Sequence, residues 1–390
     1  MTIRLKPGIN REDVFDLIGT SCLFVFIFLT SYIFLFRYDH TMFIIRYLFL
    51  ISGAALGYLK CIFIDKPRRI AIPLFALCIV ILWGIAFLGQ KGYKNYPASD
   101  MLYTFCYIGI SYFILEGKHS RAITLCLFAF TAVVVLLRLF SDIDSNEILF
   151  ANSRNYISIL LLLSLLLYYI NCHDNNKPIL VTPVLLFFFI SIHATGRGGI
   201  IVSGFLTVSL LVYKFIHIKN KKFKILLAFV LLIVLIIILF LLLGAELPIN
   251  DLLENSFSRF YLMGTSDTGR FDIWRKFFRN NALDVNRFLF GSDTQVTGWY
   301  EGNLHNSFFQ SYASFGLLGF AIIVISIVLA GINGLKRKDY LWLALFISLL
   351  LRAFTDRVFF QGYCEPYLYY FVFYRYFHKK DRTQTGVING

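Results

Sequence analysis

Residues 225–244 read ILLAFVLLIVLIIILFLLLG, twenty positions with no charged or hydrogen-bonding side chain. As an α-helix such a stretch is about 30 Å long, the thickness of a bilayer's hydrocarbon core. The run is continuously apolar rather than alternating, which excludes a strand of a transmembrane barrel. Four lysines (Lys219, Lys221, Lys222 and Lys224) stand directly before it, as expected for the cytoplasmic flank of a membrane span.

Eleven further apolar runs lie on either side, at 13–36, 42–64, 70–89, 101–116, 122–140, 155–171, 178–194, 199–216, 307–332, 340–355 and 366–377. The last is short and rich in Tyr (Tyr367, Tyr369, Tyr370, Tyr374, Tyr376), a composition suited to the membrane–water interface. Over the 390 residues, 58% are hydrophobic and only 15% charged, with 43 Phe and 23 Tyr. That composition excludes a soluble globular enzyme, a disordered chain and a disulfide scaffold. The first run is too long for the apolar core of a cleavable signal, and no small-residue cleavage site follows Phe36. The expectation is one integral membrane domain over residues 1–390, all-α, with about 12 transmembrane helices.

The formal charge is +14. With the N-terminus inside, 21 Lys and Arg fall on cytoplasmic segments, and the short outer loops have only six (Arg37, Lys91, Lys94, Arg154, Arg197 and Arg357). The excess is therefore an orientation signal that puts both termini in the cytoplasm, and nucleic acid is not an expected partner. The seven cysteines stand singly, without metal-ligand spacing, and no disulfide is expected.

One segment breaks the pattern. Residues 245–306 form a large outer loop between the ninth and tenth runs, mixed in sign and rich in aromatics. A loop of that length is functional or disordered, and its aromatics argue against disorder. Within it, Gly269 to Asn280 has Phe271, Trp274, Phe277 and Phe278 at helical spacing, with Arg270, Arg275 and Arg279 beside them. The pattern predicts a short amphipathic helix at a headgroup surface or over a cavity; an aromatic stripe packed on the core fits the same spacing.

Three polar features lie at expected outer ends of spans. The loop closes on Leu304-His305-Asn306-Ser307, which puts a histidine at the membrane boundary, either a general base or a polar anchor. Gly316 and Gly319 follow on the same span. Ala194-Thr195-Gly196-Arg197-Gly198-Gly199 is a glycine-rich turn that opens a helix, where backbone N–H groups and a planar guanidinium favour phosphate; a tight hairpin with a snorkelling arginine is the plainer reading. Arg352, Asp356 and Arg357 flank the end of the eleventh run, where Asp356 either orients a histidine or pairs locally with an arginine. Asn152-Ser153-Arg154-Asn155 adds a further polar patch. Asp142 and Asp144 have the spacing by which soluble glycosyltransferases hold a metal. Nucleotide sugars, however, are cytoplasmic and this loop is outside, so no metal is expected there.

The order of these features resembles the O-antigen polymerase and O-antigen ligase superfamily. The shared elements are a Gly/Arg turn after span seven, a large outer loop with Gly-Arg-x-x-x-Trp (Gly269 to Trp274), and then His305-Asn306 with Gly316-x-x-Gly319. The resemblance covers about residues 180–360; Thr195-Gly196 precedes Arg197 where many relatives have a Ser-x-Ser-like run. It implies a GT-C-like membrane fold and an inverting, metal-independent glycosyltransferase needing no cofactor. The donor would be an oligosaccharide on undecaprenyl pyrophosphate at the periplasmic face of a bacterial inner membrane. It further implies His305 as catalytic base with Asp356 orienting it, and Arg197 and Arg270 on the pyrophosphate. Arg154, Asn306, Trp274 and Arg275 are candidate contacts to glycan or phosphate. A polymerase, which extends a lipid-linked repeat unit alongside a chain-length regulator, is the leading expectation. A ligase acting on lipid A–core is the alternative. A twelve-span transporter or flippase is a more distant one, because no second copy of the Thr-Gly-Arg or His-Asn segment marks the two related halves such folds have.

Overall fold

The structure is a computed structural model, and it describes residues 11–36, 39–64, 68–89, 98–117, 119–141, 143, 147–150, 153–194, 196–243, 270–282, 284–292, 304–360 and 362–377. Asp142, Asp144, Asn152, Thr195, and residues 244–269 and 293–303 of the large loop lie outside the described residues. Every apolar run becomes a helix, and no strand occurs among the described residues. The first nine helices are α1 (Arg11–Leu35), α2 (His40–Leu59), α3 (Ala71–Gly89), α4 (Ala98–Glu116), α5 (Arg121–Leu139), α6 (Asn155–Asp174), α7 (Thr182–His193), α8 (Arg197–His217) and α9 (Lys221–Leu243). The large loop supplies α10 (Arg270–Ala282) and α11 (Val285–Phe290). The chain then closes with α12 (Ser307–Arg337), α13 (Tyr340–Thr355) and α14 (Glu365–Phe377).

Seven helical stretches among the described residues are long and apolar enough to cross a membrane: Asp13–Leu35, His40–Ile64, Ala71–Gly89, Arg121–Leu139, Asn155–Asp174, Arg197–His217 and Ser307–Arg337. The chain is thus a polytopic helical membrane protein. Of the other runs, two give helices of 19 and 23 residues, α4 and α9, and three give shorter ones. α7 has 12 residues, α13 has 16 and α14 has 13, each below the roughly 20 of a perpendicular crossing.

Two kinds of apolar helix separate in the fold. In α6 every side chain from Ile157 to Cys172 is buried, so this helix, apolar on all sides, is the bundle's axis and is enclosed by protein. In α3, by contrast, Leu74, Leu77, Ile81, Ile85 and Leu88 are exposed at steps of three and four residues, forming one lipid-facing stripe. The opposite side of α3 (Ile72, Ala76, Ile79) is buried against the core.

Contacts gather the helix ends into two groups. At one end Phe34 of α1 meets Tyr156 of α6 and Tyr363 just before α14, and Arg46 of α2 meets Tyr363. The start of α8 packs on α6 and on the end of α13 at this same end. At the other end Arg69 pairs with Glu116, Lys60 with Asp16, and His173 with Asp339, the N-cap of α13. The large-loop helices belong to the first end. α10 buries Ile273 and Phe277 against Leu304, Tyr312 and Ala313. Its aromatic stripe is split between these buried positions and the exposed Phe271 and Phe278. α12 is kinked at Gly316 (φ 68, ψ −175). A Cβ there would lie 2.5 Å from the carbonyl oxygen of Leu289, so the missing side chain is what lets α11 seat against the kink.

Candidate functional site

The first end of the bundle brings together residues far apart in sequence. Asn306 is the N-cap of α12: its side-chain oxygen accepts from the amides of Phe308 (2.9 Å) and Phe309 (3.2 Å), and its Nδ2 donates to the Phe354 carbonyl (3.2 Å). An Asn cap satisfies N–H groups that the helix leaves unpaired and is worth about 1 kcal/mol. Here the cap also ties α12 to α13. Buried and making these three bonds, Asn306 holds the loop end in place. The next residue, Ser307, donates its hydroxyl to the Asp356 carbonyl (2.9 Å) and accepts from the amides of Val358 (2.8 Å) and Phe359 (3.2 Å). Trp274 of α10 fixes the loop from the other side, its indole N–H donating to the Leu304 carbonyl at 2.7 Å.

His305 is therefore held at both neighbours, in a left-handed backbone conformation (φ 49) that non-glycine residues rarely adopt. Backbone strain of this kind persists where surrounding contacts over-determine it. The imidazole Nδ1 lies 3.6 Å from Oδ1 of Asp356, whose side chain is 2% exposed while that of His305 is 23% exposed. Asp356 caps the end of α13; its other carboxylate oxygen lies 3.4 Å from Arg352, and its Oδ1 accepts from the Arg357 amide at 2.9 Å.

Burial alone would raise the Asp356 pKa. The imidazole of His305 close by, the Arg352 charge and the Arg357 amide outweigh burial and bring it down to about 2. With the folded value below the unfolded one, the stability this carboxylate contributes is complete above about pH 4 and is lost as pH falls through about 2. Activity profiles between roughly pH 5 and 8 should carry no Asp356 titration. An acidic limb in that range that disappears in Asp356→Asn, measured at equal protein level, would contradict this.

Arg352 is buried and ties the end of its own helix, α13, to the start of α6. Nη2 donates to the Asn155 carbonyl (2.8 Å) and Nη1 to the Thr355 hydroxyl (2.8 Å), alongside the Asp356 pair. The glycine-rich turn fits around it. A Cβ on Gly198 would come 2.7 Å from Thr355 Oγ1 and 3.0 Å from Arg352 Nη1. Gly198→Ala should cost about 1–3 kcal/mol of overpacking, seen as a lowered melting temperature of the purified protein. An unchanged melting temperature would mean that the α8–α13 contact is looser than this geometry.

No family model, curated protein or solved structure matches the chain. The site is accordingly read from its own geometry. Arg197 opens α8 right after Gly196, which packs on Asn155 and Arg154, so Arg154 and Arg197 share this end with Arg352. Arg270 opens α10, and its Nη1 donates to the Thr355 carbonyl at 2.6 Å. Of the sequence candidates, His305, Asp356, Arg197, Arg270, Arg154, Asn306 and Trp274 converge on one end. Arg275 turns to a surface pair with Asp272 (3.2 Å), both side chains well exposed. Among the described residues no three His, Cys, Asp or Glu side chains gather as a metal site requires.

Two residues were passed over in the sequence. Ser307 has no signature beyond following an Asn cap. Arg46 does have one: it is a charge inside the second apolar run, flanked by Phe43 and Tyr47. Cys364, in the segment between α13 and α14, is fully buried.

Proposed function

We propose that the chain is a glycosyltransferase of the polymerase type. It transfers a growing glycan from undecaprenyl pyrophosphate to a lipid-linked repeat unit at the periplasmic face of a bacterial inner membrane. The observation that supports this best is the convergence of a buried Asp356 and a half-buried His305 with Arg197, Arg270 and Arg154 at one end of a membrane-embedded bundle. The twelve apolar helices support a GT-C-like architecture of about 12 spans. The alternation of helix ends, with Lys60, Arg69 and Lys177 on the end opposite His305, agrees with a cytoplasmic N-terminus and an outward-facing site.

In the reaction the acceptor hydroxyl oxygen attacks the anomeric carbon from the face opposite the pyrophosphate. The bond from that carbon to the pyrophosphate oxygen breaks, its electron pair leaves with undecaprenyl pyrophosphate, and the configuration inverts. In the reacting complex Asp356 closes on Nδ1–H and accepts from it, which keeps the lone pair on Nε2, where His305 takes the hydroxyl proton. Buried in an ionised state, Asp356 also stabilises the imidazolium that results. Arg197 and Arg270 hold the pyrophosphate and stabilise its developing charge, an effect of several kcal/mol when such donors are fixed in advance. The planar fork matters to that role. Arg197→Lys should therefore fall about 10–100-fold in polymer formed per minute by isolated membranes. Wild-type rates in that variant would leave Arg197 as a simple charge.

The ligase alternative differs only in acceptor. Purified protein given lipid-linked repeat units alone should lengthen them. No lengthening, with transfer once lipid A–core is added, would replace the polymerase reading by the ligase one. Activity should survive a chelator; abolition by chelation and recovery with a divalent ion would bring Asp142 and Asp144 back as metal ligands.

A further inference from the structure

Arg46 lies in α2 and is 1% exposed. Its guanidinium carbon is 4.7 Å from the centre of the Phe43 ring, 4.5 Å from Tyr47 and 5.2 Å from Tyr363. Tyr103 of α4 stacks on Tyr47 with ring centres 4.5 Å apart, and Tyr107 is close enough to feel the charge. Ring faces attract the cation but leave its N–H groups unsatisfied, and neither Nε nor Nη2 has a hydrogen-bond partner. Those two nitrogens form one edge of the guanidinium, with parallel N–H bonds spaced to match the two oxygens of a carboxylate. A buried arginine normally has a carboxylate to complete it. Among the described residues none pairs with Arg46; the buried Glu365 accepts from the Tyr369 hydroxyl at 2.8 Å.

The same aromatic group touches the site described above. Tyr363, half-buried and on the turn between α13 and α14, meets Phe34 edge-on with ring centres 5.0 Å apart. Phe34 stacks on Tyr156 at 5.8 Å, and Tyr156 lies within the electrostatic reach of Asp356, Arg352 and Arg357. One stretch of chain, from Asp356 to Tyr363, thus carries both the partner of His305 and one wall of the Arg46 box. Of the three rings around Arg46, Tyr363 alone stands on a turn rather than on a helix.

We propose that Arg46, with Phe43, Tyr47 and Tyr363, forms a subsite for the carboxylate of an acidic sugar. The Nε/Nη2 edge binds the carboxylate and the rings pack against the pyranose faces. The role of this sugar as part of a transferred glycan rests on the transferase reading; its binding does not. The subsite makes the chain selective for glycans with a uronic-acid-type residue within reach of the reacting end.

The test uses the purified full-length protein in lipid nanodiscs, with binding of methyl glucuronide and methyl glucoside measured by saturation-transfer NMR. Wild-type protein should bind the glucuronide at least about tenfold more tightly than the glucoside, the margin expected for a bidentate charged contact. Arg46→Gln should abolish the preference, and Arg46→Lys should reduce it, because the fork is lost while the charge stays. Inorganic phosphate at equal concentration should not displace the glucuronide. Equal binding of the two glycosides by the wild type, or a preference that survives Arg46→Gln, overturns the proposal. Displacement by phosphate also overturns it, assigning the fork to a phosphate such as a lipid headgroup. If both variants fail to fold, the wild-type comparison of the two glycosides still decides. No step of the assay needs catalysis. A chain that prefers the glucuronide but never forms polymer keeps the subsite and loses the transferase reading, whereas polymerisation without the preference does the reverse.

Discussion

Replacing His305 by Asn should abolish polymer formation, with a fall of about two to four orders of magnitude, while the protein stays in the membrane at its normal level. Asn is the more informative substitution than Ala. The His305 backbone sits at φ 49, a conformation that Asn tolerates and that costs Ala roughly 1–2 kcal/mol. Asn keeps the turn and a polar side chain but has no basic nitrogen. His305→Ala should lose activity as well, with some loss of protein on top. In cells, both variants should accumulate single lipid-linked repeats on the outer face, since only the transfer step is missing. Accumulation on the cytoplasmic face would favour a flippase, and normal polymer in His305→Asn would remove the histidine from the chemistry.

Asp356→Asn should have the second large effect, on stability as well as on rate. The carboxylate is 2% exposed and lies against Arg352, which is equally buried. Removing one partner of a buried pair leaves the other uncompensated, at a cost of about 3–5 kcal/mol. The single variant should therefore be poorly accumulated. Arg352→Gln combined with Asp356→Asn removes both charges and should recover much of the protein level. Activity should not return, because an Asn amide can present N–H as well as oxygen to the imidazole and has no charge to stabilise the imidazolium. Recovery of both level and activity in the double variant would show that Asp356 matters only as the counter-charge of Arg352. The plain ion-pair reading would then be right.

The sequence showed the apolar runs clearly because a bilayer demands long stretches without charge. It did not show which helices face lipid. α6 and α3 are both apolar on all sides, yet one is enclosed and the other lines the boundary. Lipid tails and a protein core select the same side chains, so composition cannot separate them. Run length was a weaker guide. The run at 178–194 becomes a 12-residue helix because Lys177 to Leu180 form an irregular segment ahead of it. At the site, the sequence offered Asp356 two roles, and the structure joins them: one oxygen faces His305 and the other faces Arg352. Position along the chain also does not reveal that the Asn306 side chain caps α12. Arg46 was hidden for another reason. A positive charge in an apolar run invites the snorkelling reading, and only the folded chain brings Tyr363, more than three hundred residues away, over its face.

The central claim is that the bundle end holding His305, Asp356, Arg197 and Arg270 transfers a glycan from a polyprenyl pyrophosphate. The most direct measurement is release of undecaprenyl pyrophosphate by purified protein supplied with lipid-linked repeat units, followed together with product length. The wild type should release one undecaprenyl pyrophosphate for each repeat added, and His305→Asn should release none above background. Release at the same rate in both, or glycan movement across proteoliposomes with no release at all, would contradict the claim.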